Sequence, residues 1–272
     1  MRVSVSPVAF GAALFLLPIF ASSASAQNLV AQYSVKLIGL SLGTASVALA
    51  VEPASYKVEA TAKLTGLASV VSNSKGAATA SGQLVSGRVA PAAYATTSAN
   101  SKMTRTIRIA MNAGDVRGAE ISPPYEEGAG RIPVTENQKR GIIDPLSALV
   151  MPVPGSEPVV GPAACNRTIP VYDGWTRFDV TLQFVGVRRV AARGYEGPVS
   201  VCAARYTPVS GHRPDRAATK FMADNKNMEV WLAPVADTRV VMPFRISVAT
   251  QIGTTVIEAL EFSTGPTSTA RR

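Results

Sequence analysis

The chain has one histidine, His212, set in Val209-Ser210-Gly211-His212-Arg213-Pro214-Asp215. With Asp215 or another carboxylate orienting its ring and a serine as nucleophile, it would support ester or glycan hydrolysis. No G-x-S-x-G elbow presents such a serine, and the surrounding Gly211, Pro214 and arginines read instead as a turn or a contact to an anionic group. Ser72-Asn73-Ser74-Lys75 matches S-x-x-K, in which one helical turn sets lysine beside serine, but the companion S-D-N and K-T-G elements are absent. Glu126 and Glu127 are adjacent in a loop of Pro and Gly, whereas a glycosidase needs carboxylates on opposite sides of a cleft. One His and two Cys do not assemble the three or four ligands of the usual zinc or iron site, and neither dinucleotide-binding nor phosphate-loop glycine patterns occur. The sequence therefore predicts no catalytic residue, no metal and no cofactor.

The first residues carry one positive charge, Arg2, and the run from Val8 to Ala21 is apolar but too short to span a bilayer. It ends in Ala24-Ser25-Ala26, a small-x-small site, so the sequence predicts a secretory signal over 1–26, cleaved after Ala26, and a periplasmic product. No cysteine precedes Cys165, so no lipid attachment is expected at the new N-terminus. In an oxidising compartment Cys165 and Cys202 are expected to form one disulfide. The formal net charge is +9, which points to anionic envelope surfaces and, in an exported chain, away from nucleic acid. Basic residues concentrate between Arg188 and Lys226, and Arg188, Arg189, Arg193, Arg205, His212 and Arg213 are the candidate anion or headgroup contacts.

The dominant pattern along the chain is alternation with period two, the mark of a strand with one wet face. It is clearest in Tyr56-Lys57-Val58-Glu59-Ala60-Thr61-Ala62-Lys63-Leu64, and recurs around Tyr33–Leu37, Ile107–Met111, Phe178–Phe184 and Phe244–Val248. Asp173-Gly174 predicts a two-residue hairpin turn, and further breaks fall at Gly39, Glu52-Pro53, Gly87, Asn112-Ala113-Gly114, Gly194 and Gly197-Pro198. Two short helices are expected, over Asp144–Val150 with an Asp cap and Pro at its first position, and over Gly66–Val71. The expected fold is all-β: a curved antiparallel sheet forming a half-open barrel or spiral with one or two short helices. Its single domain, 27–263, comprises an N-terminal half (27–121), a linker with a short helix (122–162) and a C-terminal half (163–263), followed by a polar, disordered tail at 264–272.

Several segments resemble a family of predicted periplasmic proteins of Gram-negative bacteria grouped as a domain of unknown function. They are Tyr33-Ser34-Val35-Lys36-Leu37-Ile38-Gly39-Leu40-Ser41-Leu42-Gly43, Arg88-Val89-Ala90-Pro91-Ala92-Ala93-Tyr94, Asp144-Pro145-Leu146-Ser147, Val171-Tyr172-Asp173-Gly174-Trp175-Thr176-Arg177-Phe178, Tyr206-Thr207-Pro208-Val209-Ser210-Gly211-His212 and Val230-Trp231-Leu232-Ala233-Pro234. The resemblance implies curved antiparallel strands similar in outline to periplasmic lipoprotein carriers and envelope-integrity spiral proteins, which use a concave apolar face to hold a lipid or an extended peptide. The function expected on this basis is non-enzymatic: binding a lipid, acyl chain or extended peptide, contacting anionic envelope surfaces and supporting envelope integrity. The alternative is a hydrolase of envelope glycan or ester bonds using His212.

Overall fold

Alternation sends successive side chains to opposite faces of an extended chain, and every alternating segment of the sequence lies in a strand of the computed structural model, which describes residues 27–65, 74–126 and 128–266. The N-terminal half forms β1 (Gln27–Leu37), β2 (Leu40–Val51), β3 (Ser55–Leu64), β4 (Lys75–Val85), β5 (Arg88–Ala99), β6 (Thr104–Asn112) and β7 (Asp115–Ser122). After a long excursion containing the two-residue β8 (Met151–Pro152) come β9 (Arg167–Tyr172), β10 (Arg177–Ala192), β11 (Tyr195–Ser210), β12 (Met228–Pro234), β13 (Val240–Thr250) and β14 (Gly253–Pro266). All join in one antiparallel sheet of order β7-β6-β5-β4-β3-β2-β1-β14-β13-β12-β11-β10-β9, with β8 beside β13. Two meanders are thus welded where β1 pairs β14 along its whole length, and the halves share a single sheet.

The sheet curls without closing, and its two edges, β7 and β9, are joined in sequence by the 123–166 excursion. That segment is not a spacer between lobes. The backbone N–H of Ile142 donates to Gly114 O in the β6–β7 turn (2.9 Å), while Ile143 N–H donates to Pro170 O on β9 (2.8 Å), so two consecutive residues clip one edge to the other. A ladder of stacked side chains seals the same seam: Arg105 of β6 lies over the Tyr125 ring, Tyr125 stacks on Trp175 (centroids 4.9 Å), and Arg131 covers the other ring contact of Trp175 at 3.4 Å. The β9–β10 turn presses onto β6, where a Cβ on Gly174 would meet Ile107 Cγ2 at 2.6 Å.

Several local expectations change in three dimensions. The β9–β10 turn spans four residues because Asp173 accepts hydrogen bonds from the backbone N–H groups of both Trp175 and Thr176, and β10 starts only at Arg177. Gly197-Pro198 does not break the chain; it lies inside β11, opposite Val190 and Arg189. The expected helix at Asp144–Val150 shrinks to one 3₁₀ turn, Ser147–Leu149. The α-helices of the described residues lie elsewhere, at Pro162–Cys165 and Ala217–Asp224, and a second 3₁₀ turn spans Glu136–Lys139. The assigned tail begins too early, since Thr264, Gly265 and Pro266 pair with Leu29, Asn28 and Gln27. The expected signal segment, the Gly66–Val71 helix, Ser72 and Glu127 lie outside the described residues.

Core packing is asymmetric along the barrel axis. At one end, beneath the turns Ser86-Gly87 and Ala113-Gly114, the interior is plugged by Ile142, Leu146 and Val150 of the excursion and by the β10–β11 tip, where Tyr195, Phe244 and Phe262 cluster with ring centroids 5.6 to 6.1 Å apart. A second cluster around Cys165, Cys202, Leu182 and Leu232 fixes the excursion to β9–β12. The opposite end, ringed by the β1–β2, β5–β6 and β13–β14 turns, is open among the described residues.

Candidate functional site

The opening is written into the sizes of inward-facing side chains. Close to the plug, one cross-strand row reads Leu29, Leu49, Val58, Ala80, Tyr94, Ile109, all buried. The next row toward the rim is Ala31, Val47, Ala60, Ala78, Thr96, Ile107, and the third is Tyr33, Ala45, Ala62, Gly76, Ser98, Arg105. As side chains shrink, the strands stay in register and the space they would fill is left vacant; Ala62 and Ser98 are exposed although they face inward. Arg105, laid against the Tyr125 ring, and Tyr33 are the exceptions in this row. The Tyr33 hydroxyl crosses the interior to donate to the Pro243 carbonyl at 2.7 Å, tying β1 to β13 and forming a floor.

Three cavities follow this gradient. One of about 390 Å³ lies at the rim between Val35, Gly43, Leu64, Asn100 and Arg105. A second, about 370 Å³, shares Ala62 and Gly76 with it and continues inward over Ala45, Ala60 and Ala78 to Leu149, Pro243 and Ile246. Those last three residues also bound the third, about 270 Å³, which runs between Phe178, Val180, Tyr206, Met222 and Val248. They adjoin one another at these shared residues as successive parts of a trough, each within or a little below the size range of common ligand sites. The third cavity's lining is apolar apart from Tyr206, Glu229 and Ser247, and the Glu229 carboxylate is turned away to accept from Trp231 Nε1.

The residues singled out from charge do not share this site. Arg188, Arg189 and Arg193 sit toward the plugged tip of the β10–β11 hairpin: Arg188 lies 5.4 Å from the Trp231 ring, Arg189 faces Glu196, and Arg193 pairs with Glu261. Arg205 is twelve residues from Arg193, about 40 Å along an extended strand, and donates to Asn225 O. His212 and Arg213 follow β11 at the other end. The expected basic patch is therefore dispersed, because a hairpin of two 16-residue strands carries neighbours in sequence to opposite ends of the fold. Nor does Asp215 orient the imidazole: its carboxylate accepts from Arg213 at 3.2 Å, and the buried Nδ1 of His212 has no hydrogen-bond partner. Cys165 and Cys202 are bonded and fully buried.

One buried titratable group lies at the boundary of plug and trough. Asp144 Oδ1 accepts from the backbone N–H groups of Leu146 (3.0 Å) and Ser147 (2.8 Å), the role its cap position predicts. Its Oδ2 is unpartnered, and Ser147 Oγ is 2.7 Å from the hydroxyl of buried Tyr56. Burial pushes the Asp144 carboxyl above the usual carboxylate range, with the hydrogen bonds from Ser147 and Leu146 offsetting it only in part. A folded-state pKa above the unfolded one means that the folded chain binds the extra proton, so stability from this residue falls as pH rises above about 4 toward the raised value. Asp144→Asn keeps the cap oxygen and removes the ionisation. Its stability relative to the wild type in urea titrations is expected to be level at acidic pH and to grow in its favour toward neutrality; a pH-independent difference would contradict buried titration.

A sheet curled into a half-open barrel, plugged at one end and opening at the other into an apolar trough, defines a β-barrel-like protein with an accessible interior. The chain belongs to the family described as protein of unknown function (DUF3108), which matches residues 32–259. No curated protein matches it. Among solved structures it is similar to a beta-barrel-like protein of domain of unknown function DUF1849 from Brucella abortus, at 7% identity over 88% of this chain and 97% of that chain, with a TM-score of 0.47.

Proposed function

We propose that this protein is a non-enzymatic envelope factor that holds an acyl chain in the trough between β1–β5 and β9–β14, with a polar or anionic headgroup at the rim. The observation that carries this reading is the adjacency of the three cavities, from a rim that includes Lys63, Lys75, Ser98, Asn100 and Arg105 to an interior lined mainly by Ala, Ile, Val and Phe. Between the two ligands the sequence suggested, the lining favours the acyl chain. An extended peptide would bring an N–H and a C=O at every residue, and leaving such groups unpaired in apolar surroundings costs a few kcal/mol each; an alkyl chain brings none. Arg105 closes the inward row at the mouth, and although its guanidinium rests on Pro123 O and the Tyr125 ring, its charge lies beside the place where a carboxylate or phosphate head would emerge. The leader-like 1–26 segment and the buried disulfide fit action in the periplasm, where such ligands are abundant.

Delipidated protein incubated with palmitate is expected to retain one equivalent through gel filtration, detected by mass spectrometry under native conditions. Failure to bind palmitate or phosphatidylglycerol at micromolar concentration would remove the reading.

A further inference from the structure

We infer that the open rim docks on the surface of an anionic phospholipid bilayer, with the β1–β2 and β13–β14 turns as the inserted tips. Three adjacent side chains there are apolar and bare: Ile38, Leu40 and Ile252 are 67%, 72% and 70% exposed. The two turns touch, since Ile38 N–H donates to Thr254 O at 3.0 Å. Ile38 is also held against its own preference. It occupies the first central position of a two-residue turn at φ 52, followed by Gly39 at φ 78, where Asn or Asp is favoured and a β-branched residue is an outlier. The equivalent turns at the plugged end carry Ser86-Gly87 and Ala113-Gly114, so the fold itself does not require isoleucine.

Charge identifies the partner. Around these tips lie Lys36, Lys63, Lys75 and Lys102, all exposed, and none forms an ion pair among the described residues. Lys63 and Lys75 are direct cross-strand partners, an arrangement of like charges that is unfavourable without an external anion. Residues 60–114 contain no Asp or Glu. Apolar tips flanked by lysines of β1, β3, β4 and the β5–β6 turn match a layer with an apolar interior and anionic headgroups, spread along about 35 Å of curled rim from β6 to β13. The trough mouth opens between the same turns, so the inference deepens the acyl-binding reading and rests on it for why docking occurs at this end; docking itself stands on the rim residues alone.

The test is flotation of the purified protein with vesicles of phosphatidylcholine containing one quarter phosphatidylglycerol, and with phosphatidylcholine alone. The wild type is expected to partition at least tenfold more strongly onto the anionic vesicles. Lys36→Glu with Lys102→Glu, outside the trough, is expected to remove most of that preference, at about fivefold per lysine. Ile38→Asn creates the Asn-Gly pair the turn favours, so it is expected to raise the thermal midpoint while Ile38→Asn with Ile252→Ser cuts vesicle binding at least tenfold. Palmitate affinity without vesicles should be unchanged in all of these. Equal binding to both vesicle types, or undiminished binding by the Ile38/Ile252 variant, overturns the inference; so does a loss of self-association in that variant with vesicle binding intact, which would make the rim a protein interface. If palmitate never binds but rim-dependent flotation persists, docking stands and the acyl reading falls.

Discussion

Ala62→Phe is expected to weaken palmitate binding on the order of 100-fold while leaving the fold intact. Ala62 lies where the rim cavity meets the middle one, faces inward, and is nevertheless exposed. Its cross-strand neighbours are Ala45 and Gly76, so a ring placed there projects into the vacant trough without colliding with a large side chain. A phenyl ring would displace about four methylenes of a bound chain, each worth about 0.8 kcal/mol when buried, for a loss near 3 kcal/mol. Thr79→Phe on the exposed outer face of β4 is the control, expected to change affinity less than twofold. Equal affinities for Ala62→Phe and wild type, measured by displacement of a fluorescent fatty acid, would show that ligand does not enter between β3 and β4.

The strands were legible because alternation reports a half-buried sheet directly, and β3 is readable residue by residue from Tyr56 to Leu64. The trough was legible only in retrospect. Its signal is the run of Ala and Gly at inward positions of β2, β3 and β4, and those residues mark space only once register aligns Ala45, Ala62 and Gly76 across three strands. Register also explains why the basic residues misled: proximity in sequence along β10 and β11 becomes separation in space. The lysines of the rim form no cluster in the sequence for the converse reason, since Lys36, Lys63, Lys75 and Lys102 are scattered along the chain and converge only because alternate turns of a meander share one end. The seam was equally hidden, because Arg105, Tyr125, Arg131 and Trp175 come from four separate segments. By contrast, the Asp144 cap was predicted correctly as chemistry although its helix is a single turn: the excursion must bend at once to carry Val150 and Val153 into the core.

The same excursion makes the disulfide the fold's most consequential single bond. Cys165 ends the helix Pro162–Cys165, and Cys202 lies within β11, between Phe184 of β10 and Val230 of β12. The bond therefore fastens the segment that fills the barrel and clips its edges together. With the cysteines 37 positions apart in sequence, chain-entropy reasoning assigns it about 4 kcal/mol, and measured values for such bonds are commonly 2–4 kcal/mol. Cys165→Ala with Cys202→Ala is expected to lower the thermal midpoint by about 5–15 °C, and reductant is expected to do the same to the wild type but nothing further to the variant. The loss should not be uniform. β9 pairs only with β10 and, through one bridge, with Ile143, so residues 142–172 are expected to lose hydrogen-exchange protection before β1–β4, which have strands on both sides. Opening there would also release Tyr125 and Trp175 from the seam and admit water to the inner end of the trough. Palmitate should then bind more weakly to the reduced protein at temperatures where β1–β4 remain folded. An unchanged midpoint on reduction, or uniform loss of protection along the chain, would show that the excursion is held by packing alone.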